Sequence, residues 1–127
     1  VRGFNDSKGT NVGATLAAIE GFDEKLVLIA GGLGKGADFG DLAAGMSEHV
    51  KAVVLLGEAA GAIEQSLSGR VRTEHAENMT DAVRRAAAMA VAGDTVLLSP
   101  ACASFDMFDG YQERGELFMR AVKELRA

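Results

Sequence analysis

The stretch LVLIAGGLGKGADF, Leu26 to Phe39, decides how the chain is to be read. Its first six residues, LVLIAG, are apolar without interruption, which is the pattern of a strand buried on both faces rather than one that alternates between core and water. The run then empties into glycines and a lysine, as a phosphate-binding loop does. The Walker pattern fails at two positions. G-x-x-x-x-G-K-[ST] needs glycine six residues before Lys35, where Ile29 stands, and a hydroxyl residue after the lysine, where Gly36 stands. Without that hydroxyl a magnesium ion has no ligand from the loop. G-x-G-x-x-G fails as well: Gly32 and Gly34 fit, but the third glycine is replaced by Ala37. What survives is a strand followed by a glycine turn that carries Lys35. The plain alternative is a glycine turn with an incidental surface lysine.

Outward from this stretch, strand-like runs occur at Val1–Asn5, Lys51–Leu56 and Thr95–Ser99, with a weaker one at Arg70–Thr73; the opening stretch itself supplies Lys25–Ala30. Helical spacing lies between them. Val12, Leu16 and Ile19 share a face, with Thr10 and Asn11 as caps and Gly21 as a stop. Leu42 and Met46 continue the pattern, followed by Ala59, Ile63 and Leu67. The stripe Met79, Val83, Ala86, Ala87, Ala90 is capped by Asn78 and ended by Gly93, and Leu117, Phe118, Ala121, Val122 and Leu125 mark a last helix. This βα alternation predicts an α/β fold: a mostly parallel sheet with helices on both faces. Right-handed crossovers put every strand's C-terminal end on one edge, where ligands of such sheets bind.

Composition narrows the function classes. With 127 residues the chain is one domain, and 48% hydrophobic and 24% charged residues are ordinary for a globular protein. The net charge of −5 offers no basic stripe, so no nucleic-acid partner is expected. No apolar run approaches the roughly 20 residues that cross a bilayer, so no membrane is expected either. The single cysteine, Cys102, forms no internal disulfide and fits a reducing, cytoplasmic location. His49 and His75 have no metal-ligand spacing. Glycine, 16 of 127, exceeds the usual share of about 7%, pointing to close backbone approaches. The chain opens at Val1, inside a strand, and the expectation is a domain cut from something longer, by excision or by processing.

Three segments follow strands at the expected binding edge: NDSKGTN (Asn5–Asn11), GGLGKGADF (Gly31–Phe39) and SPACASFDMF (Ser99–Phe108). Each leads into a helix N-terminus, whose free N–H groups favour anions. Lys8 and Lys35 bring positive charge, and Thr10 and Ser104 bring hydroxyls. The ligand described is a small anion with two negative groups. Asp6, beside Lys8, either binds a ribose or orders its loop. Asp38, Asp41 and Asp106 read as helix caps, Cys102 as a packed small residue, and Glu74–Asn78 with Arg84–Arg85 as solvated surface. No G-x-S-x-G elbow surrounds Ser99 or Ser104.

These three blocks, in this order, together with the longer pattern LLSPACASFDMFDGYQERGELF, resemble the C-terminal domain of the Mur ligases, in the branch that adds D-glutamate to the peptidoglycan precursor. The resemblance covers essentially residues 1–127. It implies a Rossmann-like domain that receives the amino acid, following an N-terminal domain for the UDP-sugar and a central domain with the phosphate loop. It implies an ATP-dependent ligase that joins D-glutamate to UDP-N-acetylmuramoyl-L-alanine through an acyl phosphate, with ATP and magnesium held mainly by the central domain and this domain alone inactive. By position, Lys8, Thr10, Lys35, Ser104, Phe105 and Tyr111 match residues around D-glutamate; Asp6 and Lys8 match the side facing the nucleotide; no catalytic or metal-binding residue is carried over. Leu33 stands where some members carry an acid, Gly9 where some carry alanine, and Tyr111 where phenylalanine also occurs. The competing expectation is a non-catalytic flavodoxin- or receiver-like module that binds a small anion or a partner protein. A receiver wants clustered aspartates at strand ends, and this edge carries lysines and glycines.

Overall fold

The computed structural model describes residues 2–34, 39–46, 48–102 and 110–126. The elements alternate as predicted: β1 (Arg2–Asn5), α1 (Val12–Glu20), β2 (Leu26–Gly31), α2 (Gly40–Ala44), β3 (Val50–Leu56), α3 (Ala60–Leu67), β4 (Arg72–His75), α4 (Met79–Met89), β5 (Thr95–Leu98) and α5 (Tyr111–Arg126). The strands form one sheet in the order β1-β5-β2-β3-β4, every neighbouring pair parallel.

The uninterrupted apolar runs have the expected cause. In β2, Leu26, Leu28 and Ala30 enter one core with Ile19 of α1, Leu42 of α2 and Ile63 and Leu67 of α3. The alternate residues Val27 and Ile29 enter a second core with Met79, Val83 and Ala86 of α4 and Phe118 of α5. Strands β3 and β5 divide in the same way, Val53, Leu55 and Leu97 to one side and Val54, Leu56, Val96 and Leu98 to the other. A strand that feeds two cores has no face left for polar residues. Each such side chain contributes on the order of 1.5–3 kcal/mol by leaving water, so the central strands fix the sheet and the edge strands follow.

The helices begin where their caps sit. The Asn11 side chain accepts the Ala14 N–H at the start of α1, and the Asn78 side chain accepts the Asp81 N–H at the start of α4. Gly21 closes α1. Helix α4 stops earlier than expected, at Met89; Gly93 (φ +93°) instead belongs to the turn that feeds β5. Asp41 does not cap α2: it lies within the first turn, behind an N-cap Phe39 that makes no side-chain bond. Asp38 and Asp106 lie outside the described residues. The weak strand falls at Arg72–His75 rather than Arg70–Thr73.

The order of strands positions the site. Progression runs from β2 through β3 to β4 and then jumps back, so that β5 is inserted between β1 and β2. The segments after β1, β5 and β2 are therefore neighbours at one edge, at the kind of reversal where open α/β sheets bind ligands.

Candidate functional site

The glycine turn after β2 is a packing requirement. Gly31 has φ +129°, and a Cβ there would lie 1.9 Å from the Leu56 carbonyl oxygen on β3. No other residue fits between the two strands. The Gly31 N–H donates to the Pro100 carbonyl (3.0 Å), and the Ala59 N–H donates to the Gly32 carbonyl (2.9 Å), so the turn is stitched to its neighbours on both sides.

The loop after β1 is tied just as closely. The Asp6 N–H donates to the Leu98 carbonyl (2.7 Å), and the Ala101 N–H donates to the Gly9 carbonyl (2.8 Å). Ala101 holds φ +63°, an uncommon conformation for a residue with a Cβ and one that gathers at functional sites. The Ser99 hydroxyl, fully buried, donates to an Asp6 carboxylate oxygen (2.7 Å), while the Thr15 hydroxyl donates to the Ser99 carbonyl (3.0 Å). Of the two sequence readings of Asp6, the structure thus supplies the ordering role directly.

Below this loop lies a side chain that sequence reasoning misses. Arg114, on the first turn of α5, is 1% exposed. Its Nε donates to Ser7 Oγ (3.0 Å), its Nη2 to the Ser7 carbonyl (2.8 Å) and its Nη1 to the Cys102 carbonyl (2.9 Å). Ser7 Oγ in turn donates to the Tyr111 carbonyl (2.6 Å), and the Ser7 N–H donates to Asn5 Oδ1 (3.0 Å). The next residue, Gly115, lets α5 come this close: a Cβ there would stand 2.6 Å from Asn5 Nδ2. The RG pair is visible in the pattern Y-x-x-R-G-x-x-F, but nothing in the spacing says that the arginine is buried.

Of the expected site residues, Asp6, Lys8 and Tyr111 come together around a cleft of about 260 Å³ that Asn5, Ser7, Gln112 and Gly115 complete. Lys8 is exposed and has no ion-pair partner among the described residues. Thr10 is exposed two residues on, in the same loop, though it does not line that cleft. Lys35, Ser104 and Phe105 lie outside the described residues. Cys102 is buried, as a packed small residue should be. Among the described residues no group of three or more His, Cys, Asp or Glu side chains converges as a metal site. Asp6, a single carboxylate already holding the Ser99 hydroxyl, does not fit a magnesium clamp on its own. Among the described residues this edge presents one exposed cation, Lys8, in a cleft that the Asp6 carboxylate also lines. No helix of the described residues is long and apolar enough to cross a membrane.

Comparison with known proteins gives the chain its family. Residues 1–102 match the family model described as Mur ligase, glutamate ligase domain. The chain is 54% identical over 123 residues to the UDP-N-acetylmuramoylalanine–D-glutamate ligase of Cupriavidus pinatubonensis, covering 96% of this chain and 24% of that protein. It is 56% identical over 126 residues to the ligase of the same name from Pseudomonas aeruginosa, covering 96% and 28%. It is 57% identical over 123 residues to that of Bordetella pertussis, covering 96% and 24%. The chain therefore spans about a quarter of the length of the curated relatives it matches. A solved domain from Haemophilus ducreyi, provisionally assigned to a UDP-N-acetylmuramate:L-alanyl-γ-D-glutamyl-meso-diaminopimelate ligase, superposes with a TM-score of 0.55 at 12% identity over 88% of this chain and 85% of that one, a likeness of fold. With a family model that spans most of its length and relatives more than half identical to it, the chain belongs to the Mur ligase family, as a glutamate ligase domain.

Proposed function

We propose that this chain is the D-glutamate-accepting domain of an ATP-dependent ligase that adds D-glutamate to UDP-N-acetylmuramoyl-L-alanine in peptidoglycan synthesis. The observation that carries the reading is Lys8: an exposed cation on a loop whose backbone is held on both sides, at the strand edge of a domain whose relatives are named for D-glutamate. D-glutamate is a small dicarboxylate. A lysine with hydroxyl donors binds such a ligand through charge-assisted hydrogen bonds. Thr10, Lys35, Ser104, Phe105 and Tyr111 complete the proposed pocket, and Asp6 and Lys8 form its nucleotide-facing side.

In this reading the domain contributes no covalent chemistry. It fixes the amino acid so that its amine meets the carboxyl activated as an acyl phosphate, which converts an encounter into a positioned reaction, and closure on the preceding domain excludes water. ATP and magnesium belong mainly to that central domain, in keeping with the absent Walker hydroxyl at Gly36. The partners are D-glutamate and the central and N-terminal domains of the same ligase, and the location is the cytoplasm. A non-catalytic flavodoxin- or receiver-like module is disfavoured by the relatives.

The test is turnover by the full-length enzyme, followed as phosphate release, with D-glutamate against L-glutamate. Strong preference for the D-isomer is expected. Equal use of both, or release that ignores glutamate altogether, sinks the proposal.

A further inference from the structure

We infer that Arg114 is a positioning residue for the glutamate pocket: its buried guanidinium holds the loop that presents Lys8 in register with the start of α5, which presents Tyr111. The inference rests on the functional reading above. It stands on where the acceptors lie. One nitrogen reaches the Cys102 carbonyl, in the segment that follows β5; two others grip Ser7, the residue before Lys8. Ser7 then passes the link on, because the same hydroxyl that accepts from Arg114 Nε donates to the Tyr111 carbonyl at 2.6 Å. Residues 7, 102, 111 and 114, separated by up to 107 positions, are thereby held in one network.

Burying a guanidinium is costly, and well-packed apolar groups often replace buried charges with no loss of stability. A core under a sheet edge has no need of an arginine for cohesion alone. What a planar fork does that an apolar side chain or an ammonium cannot is donate in several fixed directions at once to carbonyls on separate segments. Lysine keeps the charge and much of the length but offers a single point of donation. The lysine variant therefore separates charge from geometry.

The experiment uses the full-length ligase with Arg114→Lys and Ser7→Ala, each followed by thermal melting and by KM for D-glutamate and for the UDP-linked substrate. A misplacement near 1 Å costs up to about 100-fold in such reactions, so R114K is expected to raise the glutamate KM about tenfold or more, with kcat reduced and the KM for the UDP-linked substrate within about twofold. S7A is expected to shift glutamate KM in the same direction by less. The double variant should resemble R114K alone, because both substitutions break one link. If both single variants melt like the wild type and use glutamate normally, Arg114 has no positioning role. That role is equally excluded if R114K fails to fold while S7A is kinetically silent, since the arginine then serves the fold only. Equal increases in both KM values also overturn it. A wild-type enzyme that does not use D-glutamate overturns the functional reading itself, whereas an active wild type with indifferent variants overturns only the part given to Arg114.

Discussion

The two ends of the sheet are built from the same residue types and use them in opposite ways. At the end where the strands begin, cations meet carboxylates. Lys51 on β3 reaches Asp94 ahead of β5 at 2.8 Å, and Arg2 on β1 reaches Glu24 ahead of β2 at 2.8 Å, with the Thr95 hydroxyl on the same Glu24 oxygen. Where β1 and β5 finish, the loops are tied by backbone N–H groups, hydroxyls and the buried Arg114 guanidinium, and Lys8 has no ion-pair partner among the described residues. Charge neutralised inside the protein stabilises the fold. Charge held on a rigid loop and left unneutralised is available to a ligand. Under the proposed function the contrast separates stability from binding, and it can be broken by substitutions that cross the two readouts.

The largest effect should come from Lys8→Ala. Loss of a charge-assisted hydrogen bond to a carboxylate is worth roughly 1.5–3 kcal/mol, or about 10- to 100-fold in kcat/KM for D-glutamate in the full-length ligase. Urea unfolding of the domain should shift by less than about 0.5 kcal/mol, as for most exposed positions. A variant that loses stability but keeps its glutamate kinetics would place Lys8 with the structural charges and erase the contrast.

Asp94→Ala is the converse. One Asp94 oxygen accepts from Lys51 Nζ (2.8 Å) and from the Val91 N–H (2.9 Å), and the carboxylate side chain is only 6% exposed. The Lys51 bond first, and then the Val91 N–H, hold its carboxyl below the usual range. Removing it should cost about 2 kcal/mol in urea unfolding and leave glutamate kinetics alone. The sign of the pH dependence follows. A depressed folded pKa stabilises the protein above the unfolded value, and that contribution fades as pH falls through the folded one. The variant should therefore lose less of its remaining stability on acidification than the wild type does. A parallel acid limb would show that Asp94 is not linked to folding.

How much of this is legible in the sequence depends on what each residue answers to. The strands β2, β3 and β5 are plain because two cores demand apolar residues at every position. β4 is displaced by two residues from its expected place because it is an edge strand, Arg-Thr-Glu-His, with no apolar run to mark it. Asp6 and Lys8 are legible at the edge since topology alone brings strand ends together, whereas Tyr111, at the start of α5, is reached only through the family resemblance. Arg114 is not: a charged residue near a helix start reads as solvated, and only long-range packing shows that Ser7 and Cys102 turn their carbonyls toward it. The Ser99 hydroxyl on Asp6 escapes notice for the same reason, its partner lying 93 positions away.

The smallest effect separates the contributions within the stabilising end itself. The Glu24 carboxyl is lowered from 4.5 to about 2, and the Thr95 hydroxyl is the largest cause, ahead of the Glu24 backbone N–H and of Arg2. The ranking has a physical basis. Thr95 is almost fully buried, so its hydroxyl is held in place at 2.7 Å, whereas the Arg2 side chain is 72% exposed and its charge is shared with water and salt. Thr95→Val should therefore raise the Glu24 pKa, read from carboxyl chemical shifts during an NMR titration, more than Arg2→Ala does. Because the folded pKa lies below the ordinary value, the stability that Glu24 provides is complete above about 4.5 and is lost on the way down to about 2. T95V should flatten that limb and R2A should barely alter it, and added salt should shrink the R2A difference while leaving the T95V difference in place. If R2A moves the carboxyl as far as T95V, the exposed ion pair governs this corner, and the hydroxyl is only a neighbour.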